Sequence, residues 1–176
     1  MSQRDSGYER IERDAYETPE WVTRALVPNL PLESRPMRIW EPACGSGKMV
    51  RALEAMGHVV VASDISDGAD FFSYQCRMND AEAIITNPPY NLATEFIRHA
   101  LELTARSGLV AMLLRTDFDH ANSRRELFTV CPFWKKVVLT RRIKWFEEST
   151  GSPSFNHAWF IWNWRYKGPP MLAYGP

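Results

Sequence analysis

Short apolar runs of strand type alternate along this chain with segments of helical period, and that alternation leaves few folds open. Met37–Pro42 reads as a strand entering a glycine-bearing turn, and Lys48–Met56 as the helix behind it, stopped by Gly57. His58–Ser63 (HVVVAS) is a buried strand by its valine content, and Ala81–Thr86 (AEAIIT) is another. A helix follows over Thr94–Ala105, with Phe96, Ile97, Ala100, Leu101 and Leu103 at helical spacing. Gly108–Leu114 (GLVAMLL) is a further buried strand, trailed by a helix over Asn122–Thr129. Val137–Leu139 and Ala158–Trp164 (AWFIWNW) read as terminal strands with no helix between them. The pattern predicts an α/β fold: a doubly wound, mostly parallel sheet covered on both faces and closed by a late antiparallel hairpin.

Upstream, a helix is expected with Thr18 as N-cap, Pro19 at its first position and Trp21, Val22, Ala25 and Leu26 on one face. Pro28, Pro31 and Pro36 then punctuate a loop. Residues 1–15 lack periodicity and are read as an arm, 16–167 as a single domain and 168–176 as a tail. A chain of 176 residues with 45% hydrophobic content suits one such domain with a real core. No apolar run approaches the ~20 residues that span a bilayer, and the polar start does not read as a secretory signal. Cys44, Cys76 and Cys131 are odd in number and unpaired in spacing, so they read as reduced thiols in a cytoplasmic protein. The four histidines are scattered, and no metal is expected. Balanced charge, 21 basic against 21 acidic residues, neither demands nor excludes a nucleic-acid partner. Between Arg115 and Lys144, however, lie Arg124, Arg125, Lys135, Lys136, Arg141 and Arg142, against Asp117, Asp119 and Glu126. Two readings stand for this stretch: a surface that tracks phosphates, or ordinary solvated faces.

Ligands of doubly wound sheets bind at the carboxyl ends of the strands, so the chemistry should lie just after each one. The first strand ends in Glu41-Pro42-Ala43-Cys44-Gly45-Ser46-Gly47. Closely spaced glycines there let backbone approach a ligand, and the acid can hold a ligand ammonium group. A phosphate loop is excluded because Met49 follows Lys48, and a dinucleotide fingerprint because Val50 stands where its third glycine belongs. Asp64, at the tip of the second strand, is placed to accept from two ribose hydroxyls; otherwise it caps a surface turn. Asp70-Phe71 in the next loop suits an adenine ring, or else forms a helix N-cap beside a core phenylalanine. The most informative strand end is Asn87-Pro88-Pro89-Tyr90. Two prolines fix the backbone and remove their own N–H donors. The Asn87 side-chain oxygen and the Pro88 carbonyl could then accept both hydrogens of one planar amino group, aiming its lone pair at an electrophilic methyl. Tyr90 offers a flat surface for stacking, and no nucleophilic side chain is required.

With these residues in place, the chain resembles the amino-methyltransferase branch of the Rossmann-like methyltransferases. It particularly resembles small phage- and prophage-type DNA adenine-N6 methyltransferases, over residues 16–164. The resemblance implies a seven-stranded sheet, S-adenosyl-L-methionine as cofactor, DNA as partner and adenine N6 as acceptor. It implies that Tyr16-Glu17-Thr18-Pro19, through Tyr16 and Thr18, contacts the methionine end of the cofactor. Glu41, Ala43, Gly45 and Gly47 match the glycine turn, Asp64 with Ile65 beside it the ribose acid, and Asp70-Phe71 the adenine pair. Asn87, Pro88, Pro89 and Tyr90 match the catalytic motif without a substitution, with Asn87 also bordering the cofactor. Arg142 to Phe146 and Ser152 to Phe155 resemble two late elements of the family, which makes Phe155 the candidate for packing on the far face of an extruded base. Asn156 stands where the family commonly has proline, and Trp145 or Phe146 are alternatives to Phe155. A duplex base would have to flip to reach such a pocket. Arg124, Arg125, Arg141 and Arg142 would hold the backbone. Nothing resembling a separate target-recognition domain is present, so sequence specificity is expected to be relaxed, very short, or supplied by another subunit.

Two rival classes keep the same residues. The tetrapeptide would equally hold an RNA adenine or a protein glutamine amide, each a planar amino group. A non-catalytic subunit that binds S-adenosylmethionine or nucleic acid is the other, and the intact Asn87, Pro88 and Tyr90 weigh against it.

Overall fold

The computed structural model describes residues 16–31, 36–145 and 155–176. Seven strands, β1 (Arg38–Glu41), β2 (Val59–Ala62), β3 (Ala83–Thr86), β4 (Leu109–Arg115), β5 (Phe133–Leu139), β6 (His157–Asn163) and β7 (Met171–Gly175), form one sheet in the order β2-β1-β3-β4-β6-β5-β7. Four α-helices accompany it: α1 (Glu20–Leu26), α2 (Lys48–Ala55), α3 (Ala93–Leu103) and α4 (Arg125–Thr129). All pairings are parallel except those of β6, which runs opposite to both its neighbours, β4 and β5. The expected α/β class, largely parallel with one late antiparallel return, is therefore what the chain adopts.

Alternation along each strand sorts the side chains into two cores. Ile39, Ala83, Ile85, Leu109, Ala111, Leu113, Trp159 and Ile161 point to one face, where Val22, Leu26, Met49 and Leu53 of α1 and α2 cover them. Trp40, Ile84, Val110, Met112, Ala158, Phe160 and Trp162 point to the other, beneath Phe96, Ile97, Ala100 and Leu127 of α3 and α4. Burial of both faces explains the continuous apolar runs of β3, β4 and β6. Three fully buried tryptophans also satisfy their N–H groups. Trp40 donates to Ser63 Oγ at 2.9 Å, Trp159 to the Val22 carbonyl at 2.9 Å and Trp162 to the Leu127 carbonyl at 2.7 Å. Each thus bonds a strand to a neighbouring segment as well as filling volume.

Several boundaries differ from the sequence reading. The HVVVAS strand is an edge strand, with Val59 49% exposed, because valine content reports strand preference and not the number of neighbours. Proline 19 is the N-cap of α1 and not its first residue. Residues 122–124 form a 3-10 turn that leads into a five-residue α4, not one continuous helix. Strand β5 starts at Phe133, four residues earlier than read, since Lys135 and Lys136 interrupt its apolar signal. Residues 168–176, set aside from the sequence as a tail, carry β7, which pairs with β5 while leaving Met171, Leu172 and Tyr174 exposed. No helix among the described residues is long and apolar enough to cross a membrane.

Parallel register brings the carboxyl ends of β1 to β4 to a single edge of the sheet. Glu41 lies beside Ala62, Trp40 beside Ile84, and Thr86 beside Met112. Because β6 is antiparallel, it begins where β4 ends, placing His157 opposite Arg115 at that same edge.

Candidate active site

The turn after β1 requires its glycines. Gly45 and Gly47 sit at φ +48° and +77°, in the left-handed region, and a Cβ at Gly45 would meet nothing within 4 Å. Gly47 is the N-cap of α2. The turn is fastened to the end of β2 by Asp64, whose Oδ2 accepts the Gly45 N–H at 2.8 Å. Its Oδ1 accepts the Ser66 N–H at 2.9 Å and the Ser66 hydroxyl at 2.8 Å. Asp64 is therefore both the capping residue of its own turn and the brace of the glycine loop. Beneath the loop, Glu41 is 1% exposed and accepts the Ala43 N–H at 3.2 Å. Burial pushes its carboxyl up to about 8 and nearby Asp64 adds to the rise, while hydrogen bonding from Thr86 and Ala43 opposes it. At neutral pH Glu41 is mostly protonated.

In the loop after β2, Asp70 accepts the Phe72 N–H at 3.0 Å and caps a short 3-10 turn. Phe71 is 2% exposed and packs among Trp40, Phe96 and His99, so its ring belongs to the core. The apolar groups that this region shows to solvent are instead Ile65, 54% exposed, and Phe72, 40% exposed.

The end of β3 carries Asn87, whose amide Nδ2 donates to the Tyr16 carbonyl at 3.0 Å across 71 residues of sequence. That bond fixes which way the amide points, since only the nitrogen can donate to a carbonyl. It leaves Asn87 Oδ1 buried and without a hydrogen-bond partner. Next along, the Pro89 carbonyl accepts the Leu92 N–H at 3.0 Å, whereas no backbone N–H among the described residues bonds the Pro88 carbonyl. The strand end thus carries a buried acceptor, Asn87 Oδ1, two residues before a carbonyl already engaged by Leu92 and next to one that no described backbone N–H engages. Tyr90 is held from two strands away, where its hydroxyl and His157 Nε2 of β6 share a 2.9 Å hydrogen bond. Burial holds the His157 imidazole down to about 4, with the Arg115 charge adding to the drop, so the ring is neutral across the physiological range.

Tyr90, Tyr16, Trp145 and His157 form one aromatic cluster. The Tyr16 ring lies 6.2 Å from Tyr90 and 5.4 Å from Trp145, and Trp145 meets His157 edge-on at 5.2 Å. Phe155, two residues before His157, has the Arg115 guanidinium over its ring at 4.1 Å. Phe146 and Ser152 to Ser154 lie outside the described residues. Thr18 is buried at 4% exposure, two residues from the Tyr16 carbonyl. The four candidate arginines divide between the two faces of the sheet. Arg124 packs on Phe118, on the α4 face, whereas Arg141 lies 5.0 Å over Trp21, on the α1 face. Arg141 and Arg142 line a cavity of about 480 Å³ with Lys48, Lys144 and Trp145.

His157 escaped the sequence reading because its partner is 67 residues away and β6 reads simply as an apolar strand. The Tyr16 carbonyl escaped for the same reason, a backbone group having no signature in the residue type.

No protein-family model matches the chain, and no curated protein sequence matches it. Its fold nevertheless recurs among solved structures. A protein of Listeria monocytogenes assigned to the class I S-adenosylmethionine-dependent methyltransferases superposes with a TM-score of 0.61 at 15% identity, covering 88% of this chain and 63% of that one. A type I restriction-modification system methyltransferase subunit from Streptococcus thermophilus gives 0.60 at 12% identity, over 88% of this chain and 45% of that subunit. A SAM-dependent O-methyltransferase from Thermotoga maritima gives 0.50 at 14% identity, over 76% and 62%. At such identities the likeness is one of fold, and this chain spans less than two thirds of each of these proteins.

Proposed function

We propose that this chain transfers a methyl group from S-adenosylmethionine to a planar amino group, the N6 of adenine in DNA. The observation that carries this reading is Asn87: one end of its amide is anchored on Tyr16 and the other is a buried acceptor with nothing to accept. An unmet buried acceptor costs about 1–3 kcal/mol, a debt that an incoming amino group cancels.

The edge of the sheet suits the cofactor. Open space at Gly45 leaves room above the glycine turn, Asp64 and Glu41 are the carboxylates beside it, and Ile65 and Phe72 are the exposed apolar groups of the adjoining loops. When bound, S-adenosylmethionine supplies an electrophilic methyl that bonds to the amino nitrogen as the carbon–sulfur electron pair departs with sulfur. The chain's part is orientation. Asn87 Oδ1 and the Pro88 carbonyl accept the two amino hydrogens, which draws the nitrogen lone pair out of conjugation with the ring. Tyr90, held by His157, stacks on the base; Trp145 is the late aromatic in ring contact with the same cluster, and Phe155, under the Arg115 guanidinium, is the alternative. Neither Asn87 nor Pro88 is a base, so the proton released by nitrogen passes to water.

Three neighbours of the fold support methyl transfer, and one of them, the restriction-modification subunit, supports a nucleic-acid acceptor. The test is labelled-methyl transfer to duplex DNA, single-stranded DNA, RNA and protein extract in parallel, with nucleoside analysis of the product. N6-methyladenine in DNA, lost in Asn87→Ala while cofactor binding persists, is the expected result. Label confined to protein overturns the adenine assignment, and label absent from every acceptor overturns the enzyme.

A further inference from the structure

Beside the amino-holding loop lies a cleft that the transfer chemistry does not use. Its cavity of about 480 Å³ is lined by Lys48, Arg141, Arg142 and Lys144, with Glu17 as the one acid among the described residues, and by Trp21 and Trp145. Among the described residues no carboxylate forms an ion pair with Lys48, Arg141 or Lys144. The Arg141 guanidinium instead sits over the Trp21 ring, 5.0 Å from its centroid, and Arg142 Nε donates to Asn156 Oδ1 at 3.0 Å. Holding like charges together around a concavity costs energy that a polyanion would offset. The cleft is also joined to the acceptor site, because Trp145 borders it and touches the Tyr16 ring at 5.4 Å, while the Tyr16 carbonyl anchors Asn87.

We infer that this cleft is the track of a single nucleic-acid strand, seating the nucleotide that flanks the target base. The inference rests on the proposed nucleic-acid acceptor. Cations follow the phosphates, Trp145 offers an aromatic wall and the Arg141–Trp21 pair a second, cationic one, the combination that single strands require. The volume admits about one nucleotide and is too small for a duplex, so the strand enters after the helix has opened. An acidic peptide would satisfy the cations but would leave these walls without a stacking partner. Arg124 and Arg125, on the other face of the sheet, lie outside this track.

The experiment measures binding of a fluorescent 12-nucleotide adenine-containing DNA strand across a salt series, using the whole chain, against polyglutamate as competitor. Arg141→Ala and Lys144→Ala should each weaken binding several-fold and reduce the slope of log affinity against log salt by about 0.7, the value for one phosphate contact on a single strand. Lys144→Arg should restore both, and cofactor affinity should not change in any of them. Lys144 is solvent-exposed, so its variants test the track without disturbing the core. Wild-type affinity and slope in both alanine variants, equal competition by polyglutamate, or failure of the strand to bind would each overturn the track. Methylation of adenine with unaltered binding in the variants would reject the track and keep the enzyme. Strand binding that weakens as expected in a protein without transfer activity would do the reverse.

Discussion

Replacing Glu41 with glutamine separates the cost of this residue from its use. The carboxyl is buried, and its pKa stands at about 8 against an ordinary value of 4.5. Because the folded chain holds this proton more tightly than the unfolded one, stability is full below pH 4.5 and declines as pH rises toward 8. At 1.36 kcal/mol per unit, the penalty reaches roughly 3 kcal/mol at pH 7, a large part of a typical domain's stability. Glutamine keeps the oxygen that accepts the Ala43 N–H and never ionises. Urea unfolding of Glu41→Gln between pH 5 and 8 should therefore show a stability advantage over wild type that is just under ~1 kcal/mol at pH 5 and widens with pH. By pH 7 it should be roughly 3 kcal/mol, or on the order of 6–12 °C in Tm for a chain of this size. The same variant should bind cofactor poorly. If the carboxylate holds the ligand ammonium, wild-type affinity rises up to tenfold per pH unit below 8, and binding at pH 7 releases close to one proton. Calorimetry in two buffers of different ionisation enthalpy reads that proton. Parallel stability profiles for the two proteins across this range would refute the reasoning, since they would mean that Glu41 ionises freely in the fold.

Other outcomes follow from the same edge of the sheet. His157→Phe removes the 2.9 Å tether of Tyr90 and should lower kcat about tenfold with little change in cofactor affinity; an equal loss in Tyr90→Phe, with no further loss in the double variant, would show that the two act as one unit. Gly47→Ala forces a side chain onto φ +77° and brings its Cβ to 3.3 Å from Arg51, so about 1–2 kcal/mol of stability should go, measured by denaturant unfolding. Trp159→Phe deletes volume from a fully buried site and the bond to Val22 that ties β6 to α1; a loss of about 2–4 kcal/mol is expected by the same measurement.

What the sequence disclosed and what it hid divide along a physical line. Strands β3, β4 and β6 were legible because each is buried on both faces and therefore apolar without interruption, whereas β7 was not, since three of its five side chains face solvent. Residues that act through local backbone geometry, such as Gly45, Gly47 and the Pro88-Pro89 pair, announce themselves by type. Residues that act through a partner do not. The His157 imidazole and the Tyr16 carbonyl both reach the site across more than sixty positions, and only the register of an antiparallel β6 beside β4 brings His157 to Tyr90. Asp70-Phe71 shows the converse case. The pair looks like a ligand motif in sequence, but the fold spends its phenylalanine on the core and leaves Phe72 at the surface.

The two most perturbed groups at this edge combine in a way neither shows alone. Glu41 makes stability fall with pH from 4.5 to 8, while His157, with its pKa depressed from 6.5 to about 4, makes stability rise with pH over 4 to 6.5. Between 4.5 and 6.5 the slopes cancel, so the wild-type contribution of the pair is flat there and declines only above 6.5. Both groups are also neutral at pH 7. For the proposed transfer, a neutral imidazole behind Tyr90 puts no positive charge beside a cationic methyl donor, and a protonated Glu41 leaves no bare carboxylate buried before a cation arrives. On the proposed reading, the site acquires its negative charge when the ligand ammonium displaces the Glu41 proton, so charge and ligand enter together. The cost of ionising the buried carboxyl falls on the ammonium ligand alone, so lowering the pH below 8 weakens its binding and leaves that of a ligand without the ammonium unchanged.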